Sequence, residues 1–262
     1  MTTAIETPAM VAVNAPWAGL GNRIRFTLSA QAVAEAEGRH FYYSWHVGSH
    51  FGAALTDLWQ YEAVRVPAEG MPADLTEADD LTSLRDRDLW CVRSGSAIRG
   101  DGTEREWSEI FASLQPVAEL AERISRFRRE FLPGPYVGVQ IRVNEKTHAK
   151  TLAASPVSWF TTRMREMITD QPETRFFLSC DEPEVQSAIL SEFPMTVALG
   201  DKGQYNTFEG IRSSVVDLHL LAGARHLLGP YWSSFVEMAW LHSGRQQALE
   251  TSRSLRRAGS AQ

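Results

Sequence analysis

The sequence lacks most of the features that announce a function at once. It has only two cysteines, Cys91 and Cys180, each flanked by apolar residues and without the spacing of zinc ligands, so buried free thiols are expected. No stretch of 18 apolar residues runs unbroken, which excludes a membrane-spanning helix at the sequence level. The opening MTTAIETPAM has neither the basic start nor the apolar core of a signal peptide, and a cytoplasmic protein is the expectation. An excess of positive charge is missing too. With 26 Lys+Arg against 32 Asp+Glu the formal net charge is -6, which argues against a general nucleic-acid binder but leaves room for a local basic pocket. No G-x-S-x-G elbow supports a serine hydrolase. The histidines form no cluster with cysteine, and Asp86-Arg87-Asp88 matches a metal-binding triplet by letter only, inside a charged connection. No metal site is expected.

What is present is a globular composition, 44% hydrophobic and 22% charged over 262 residues, enough for one large domain or two modest ones. Near the start, MVAVN reads as a strand, Gly19-Leu20-Gly21-Asn22 as a turn and the following stretch as a helix. This order suggests a nucleotide held at a helix N-terminus. The third glycine of G-x-G-x-x-G is replaced by Ile24, and no acidic residue closes the second strand. Both departures count against a dinucleotide such as NAD.

Further strands are predicted at HFYYSWHV, AVRVPA and LWCVRS, with a short helix over residues 50–61 and an acidic, turn-rich connection from Glu69 to Asp88. From Glu106 a long helical run carries Leu120, Ile124, Phe127 and Phe131 on one stripe and stops at Pro133-Gly134-Pro135. A second alternation follows: strands YVGVQIRV, RFFLSCD, TVALG and HLLGPY, with helices SPVSWFTTRMREMI, PEVQSAILSEF, SVVDLHLLAGA and SSFVEMAWLH between and after them. Trp159, Phe160, Phe176 and Phe177 are assigned to the core. Strands alternating with helices imply parallel sheets covered on both faces. The predicted fold class is α/β, two Rossmann-like domains facing a cleft. The first covers residues 1–105, a connecting helix 106–132 and the second domain 133–245, with a frayed tail at 246–262.

Ligands in such folds sit beyond the carboxyl ends of the strands. Arg142 leaves its strand there, and its planar guanidinium suits a pyrophosphate or, alternatively, a surface pair with an acidic neighbour. Ser233 and Ser234, followed by Phe235, open the last helix. One hydroxyl is expected to cap it, and both can help to bind phosphate. Asp217, in an otherwise apolar helix, is either a solvated surface acid or a buried carboxylate needing a partner such as the N1–H and N2–H₂ of guanine. Trp17, His46 and His50, on loops of the first domain, are candidate binding or packing residues.

In order along the chain, GLGNR, VGVQIRVNE, FFLSCDEPEV and SVVDLHLLAGARHLLGPYWSSFVEMAW resemble the motifs of the GDP-fucose-dependent fucosyltransferases, a GT-B-like family that includes α1,6-, α1,2- and protein O-fucosyltransferases. The resemblance implies that Gly19, Gly21 and Asn22 form a loop reaching the donor, and that Arg142 holds its β-phosphate together with Ser233 and Ser234. It also places Asp217 and Gln140 on guanine and Asp181 near the nucleotide. Gln140 stands where the family has histidine, Val143 where part of it has a second arginine, and Glu145 where it has aspartate. The implied activity is metal-independent, inverting transfer of fucose or a related deoxysugar from a GDP-sugar donor to a hydroxyl acceptor, without a separate cofactor. Glu145 and His148 are the ionisable groups on the adjoining loop that could take the acceptor proton. A GDP-sugar-binding protein without turnover, and an unrelated nucleotide-dependent α/β enzyme, are the alternatives.

Overall fold

The computed structural model describes residues 5–67, 76–77, 81–98, 103–143 and 145–256. The chain divides into two compact units, the first made of Met1–Val117 and Gly203–Arg212, the second of Ala118–Lys202 and Ser213–Gln262. Sequence alone did not suggest that residues 203–212 leave the second half of the chain to join the first unit. They are anchored there by the Gly52 N–H, which donates to Asn206 O at 2.9 Å. Residue 52 must be glycine for this approach, because a Cβ would lie 2.7 Å from the Phe208 nitrogen.

The first unit is built on a parallel sheet of β1 (Ala9–Asn14), β2 (His40–Ser44), β3 (Val64–Arg65), β4 (Thr76–Glu77) and β5 (Leu89–Ser94), in the order β3-β2-β1-β5-β4. Strand β1 is buried along its whole length, as expected of an unbroken apolar run at the centre of a parallel sheet. Helix α1 (Leu20–Ala36), which follows it, buries Ile24, Phe26 and Leu28, and Gly38, at φ +63°, turns the chain into β2. The helix predicted over residues 50–61 shrinks to one 3-10 turn at Leu55–Asp57, where Asp57 Oδ2 accepts the Ala54 N–H at 2.7 Å.

The long helical run expected from residue 106 is two helices, α2 (Thr103–Ser113) and α3 (Ala118–Phe131), one in each unit. Pro116 explains the break: it cannot donate to a helical carbonyl, and the chain around it instead pairs with the 58–60 segment. The apolar stripe of α3 is buried at Leu120 and Ile124 but emerges at Phe131, which is 41% exposed.

The second sheet contains β6 (Val137–Ile141), β7 (Phe176–Cys180), β8 (Thr196–Ala198), β9 (His226–Leu228), β10 (Ala248–Thr251) and β11 (Ser254–Arg256), in the order β11-β10-β9-β6-β7-β8. All its pairings are parallel except β10 with β11. Helices α4 (Glu145–Ala154), α5 (Val157–Asp170), α6 (Pro183–Glu192), α7 (Phe208–Ala222) and α8 (Ser234–His242) connect the strands. Phe160, Met164, Phe176 and Leu178 are fully buried in the core. Gly138 lets α7 and β9 close onto β6, since a Cβ there would meet Leu221 Cδ2 of α7 at 3.1 Å and Leu227 Cδ2 of β9 at 2.8 Å. Cys91 and Cys180 are buried free thiols, each pushed up to about 11 by burial.

The tail expected to fray supplies β10 and β11 instead. Arg163 of α5 clamps Glu250 through Nε at 2.6 Å and NH2 at 3.1 Å, while the Gln247 carbonyl accepts the buried Trp240 indole N–H at 2.9 Å. A largely polar strand beside the sheet edge is thus held by an ion pair in addition to the burial of Leu249. Glu250→Gln is expected to remove about 1–2 kcal/mol by loosening a charged hydrogen-bond pair, read as a lower thermal midpoint. An unchanged midpoint would mean that β10 is held by something else.

His219 of α7 and His242 of α8 meet with Nδ1 and Nε2 at 3.1 Å. Burial, and then the neighbouring imidazole, depress the His219 pKa from 6.5 to about 3. The unfolded chain therefore takes up a proton that the folded chain refuses between these values. This contribution to stability is complete above about pH 6.5 and declines as the pH falls toward 3. Denaturant unfolding across this range is expected to show a smaller decline for His219→Gln than for the parent chain.

Candidate functional site

The strand order of the second sheet determines where a ligand can bind. From β6 the chain runs outward through β7 and β8, then returns to place β9 on the other side of β6. The crevice at the carboxyl ends of β6 and β9 is therefore the topological switch point, the usual ligand position in an open α/β sheet. Gln140 and Arg142 emerge from β6 there, and Ser233 and Ser234 follow β9.

The structure joins these elements directly. Ser233 Oγ donates to Gln140 Oε1 at 3.0 Å, and both residues are buried. Ser233 is the N-cap of α8, but its hydroxyl makes no capping bond, contrary to the sequence expectation. The reason is competition, since the buried Gln140 amide takes the hydroxyl. The first N–H groups of α8, carried by Ser234 and Phe235, keep the open, electropositive character that attracts anions. Just before them, Trp232 holds a left-handed backbone at φ +65° with its side chain 65% exposed. Such a conformation costs about 1–3 kcal/mol and is concentrated at functional sites. It is braced by the Tyr231 N–H, which donates to Ser155 Oγ at 2.8 Å.

Arg142 lies beside Asp181, with Nε 3.9 Å from Oδ2, and both side chains are about four-fifths buried. Asp181 Oδ1 accepts the Val143 N–H at 2.9 Å. The aspartate is thus tied to the loop after β6 and sets where Arg142 stands. Both sequence readings of Arg142 describe part of this arrangement, because an acidic neighbour and a strand-end position coexist. The backbone of Glu145 and His148 begins α4, but their side chains lie outside the described residues.

Asp217 is not a solvated surface acid: it is 5% exposed. Its Oδ2 accepts from Ser179 Oγ at 2.7 Å and from Lys202 Nζ at 3.0 Å, and Lys202 also donates to Cys180 O at 3.3 Å. Ser179 stands opposite Gln140 in the β6–β7 register, so the carboxylate adjoins the strand end that carries Gln140. Sequence reasoning placed Ser179 at the carboxyl end of the strand RFFLSCD without giving it a role, and missed Lys202, which lies in a loop whose proximity to Asp217 arises only in the fold.

In the first unit, Gly19 is the N-cap of α1, and Gly21 and Asn22 lie in its first turn. Gly19 has an ordinary negative φ, and a Cβ there would meet nothing within 4 Å, so the backbone does not require glycine at this position. What shapes the turn is Arg23, which sequence reasoning quoted without assigning a role. It is fully buried and donates to the carbonyls of Ala18 at 2.8 Å, His46 at 2.8 Å and Pro16 at 3.1 Å. Its guanidinium also lies 4.2 Å from the Phe51 ring centroid. Burial lowers its pKa to about 10, still charged at neutral pH. His46 and His50 are exposed on the loop after β2, and Trp17 is 73% exposed.

No family model and no curated protein sequence matches the chain. Solved structures do. The fucosyltransferase NodZ from Bradyrhizobium superposes with a TM-score of 0.66 at 17% identity, covering 95% of this chain and 97% of that one. NodZ α-1,6-fucosyltransferase soaked with GDP-fucose gives 0.62 at 19% identity, over 89% of this chain and 92% of that one. POFUT1 in complex with GDP gives 0.61 at 13% identity, over 93% and 96% respectively.

Arg23→Lys is expected to destabilise the first unit by about 2–4 kcal/mol, because an ammonium cannot span three fixed carbonyls and leaves buried acceptors unmet. Thermal unfolding measures this, and a shift within error would show that the carbonyls find other donors. By its backbone the chain shares the α/β, GT-B-like fold of fucosyltransferases.

Proposed function

We propose that the chain is a glycosyltransferase that moves fucose or a related deoxysugar from a GDP-sugar to a hydroxyl acceptor, with inversion and without a metal ion. The observation that carries this reading is the convergence at the β6–β9 switch point of Arg142, held beside Asp181, with the uncapped N-terminus of α8. A fixed guanidinium and an open helix end are suited to the charge that develops on a departing diphosphate. The shared fold supports the choice of chemistry, since the superposed proteins include fucosyltransferases with GDP or GDP-fucose bound.

In this reading Arg142, the Ser234 hydroxyl and the N–H groups of Ser234 and Phe235 receive the β-phosphate. Ser233 keeps that helix end open by giving its hydroxyl proton to Gln140, and Asp217 and Gln140 face guanine. Asp181 aligns Arg142 rather than touching the sugar. As the glycosidic bond breaks, positive charge grows at the sugar C1 and negative charge on the phosphate. The acceptor oxygen bonds to C1 from the opposite face, and its proton passes to Glu145, His148 or the leaving phosphate.

Arg142→Ala is expected to lower transfer from GDP-fucose by about two to three orders of magnitude, the usual effect of removing one charge-stabilising donor, with an unchanged unfolding midpoint. Full activity in that variant would remove the phosphate clamp from the proposal. Alongside it, a thermal-shift panel is expected to single out GDP over UDP, ADP and NAD, because a ligand specific to the folded state raises its apparent stability. Assaying the same mixtures for released GDP separates turnover from binding alone.

A further inference from the structure

Asp217 and Lys202 together present a nucleobase with something other than a bare carboxylate fork. Asp217 Oδ2 is already occupied by two donors, Ser179 Oγ and Lys202 Nζ. Its Oδ1 is buried and, among the described residues, has no hydrogen-bond partner. Lys202 uses two of its N–H groups, on Asp217 Oδ2 and Cys180 O. An ammonium has three. The pair therefore offers one unused acceptor beside one unused donor.

An unmet carboxylate oxygen in a buried position is unfavourable, and a ligand N–H is the natural remedy. Two adjacent donors on a base, such as the N1–H and N2–H₂ of guanine, are met best by both oxygens of a carboxylate. Here Oδ2 already holds two donors, while Oδ1 alone lacks one among the described residues. An edge carrying one N–H next to one carbonyl matches both the free oxygen and the free ammonium proton. Carboxylates favour the more acidic imide N–H and ammonium groups favour carbonyl oxygen, so a lactam suits the pair better than the amidine edge of adenine.

Building on the GDP-sugar reading above, we infer that Lys202 is a specificity-determining residue that donates to O6 of a 6-oxopurine while Asp217 Oδ1 accepts its N1–H, leaving the 2-amino group unread. Oδ1 has no open surface in the unliganded chain, so the base reaches it by a shift of the Lys202 side chain, the longer and more exposed of the two donors, whose ammonium stays on Oδ2. The ion pair stays neutral throughout, and the ligand's charge is left to Arg142 and the α8 N-terminus.

The test is calorimetric titration of the full-length chain with GDP, IDP and ADP. IDP keeps the N1–H and O6 of GDP but lacks the 2-amino group. The inference expects IDP to bind within about threefold of GDP and ADP at least about tenfold more weakly, as the loss of hydrogen bonds to charged groups predicts. Lys202→Met is expected to weaken GDP and IDP alike by about tenfold or more. The parent-chain comparison stands even if that variant folds poorly. If GDP binds but IDP is about tenfold weaker or worse, Asp217 reads N1–H and N2–H₂ by itself and the inference fails, with the GDP-sugar reading intact. A parent chain that binds neither GDP nor IDP overturns both.

Discussion

The hydrogen bond from Ser233 to Gln140 is the constraint on which the candidate site depends. It joins the end of β6 to the start of α8 across the point where the strand order reverses. By drawing the N-cap hydroxyl away from its own helix, it leaves the N-terminus of α8 without a side-chain cap. The same bond sets Arg142, two residues beyond Gln140, at the mouth of that crevice. Asp181 then fixes the loop by accepting the Val143 N–H. Arg142 and the N-terminus of α8 thus bring positive charge to one end of the second sheet in a chain whose formal net charge is -6.

Elsewhere, buried polar groups are satisfied by unlike means. Arg23 is balanced by three carbonyl dipoles and an aromatic face rather than by a carboxylate, which is how a full charge is tolerated in the first unit. Glu250 is matched by a bidentate arginine. Asp217 differs from both, because only one of its oxygens is satisfied within the described protein.

The parts of the fold legible in the sequence were those produced by local periodicity. β5 matches LWCVRS residue for residue, and the strand of VGVQI, the helix after GLGN and the stop at Pro133 follow from apolar runs, turn residues and proline geometry. The positions of Arg142 and Ser233 at a strand end and a helix start, where such folds hold ligands, could be read from the sequence; Asp217 stood out as a carboxylate in an apolar helix, and Gln140 entered through the family resemblance. The misreadings have a common origin. Pro116 breaks a run whose apolar spacing looked continuous, the segment at 203–212 joins the other unit, and the polar 248–256 stretch pairs as strands through contacts with distant residues.

By itself, then, the sequence determined the alternation of strands and helices and the chemistry available at the strand ends, because both arise from neighbours a few positions apart. Tertiary structure alone decided which of those groups meet. The serine hydroxyl turns to Gln140, 93 residues away, instead of capping its helix. Lys202 comes to rest on Asp217, and Arg23 gathers carbonyls from two loops. Hydrogen bonds of this kind depend on distance and direction in space, and no periodicity along the chain encodes them.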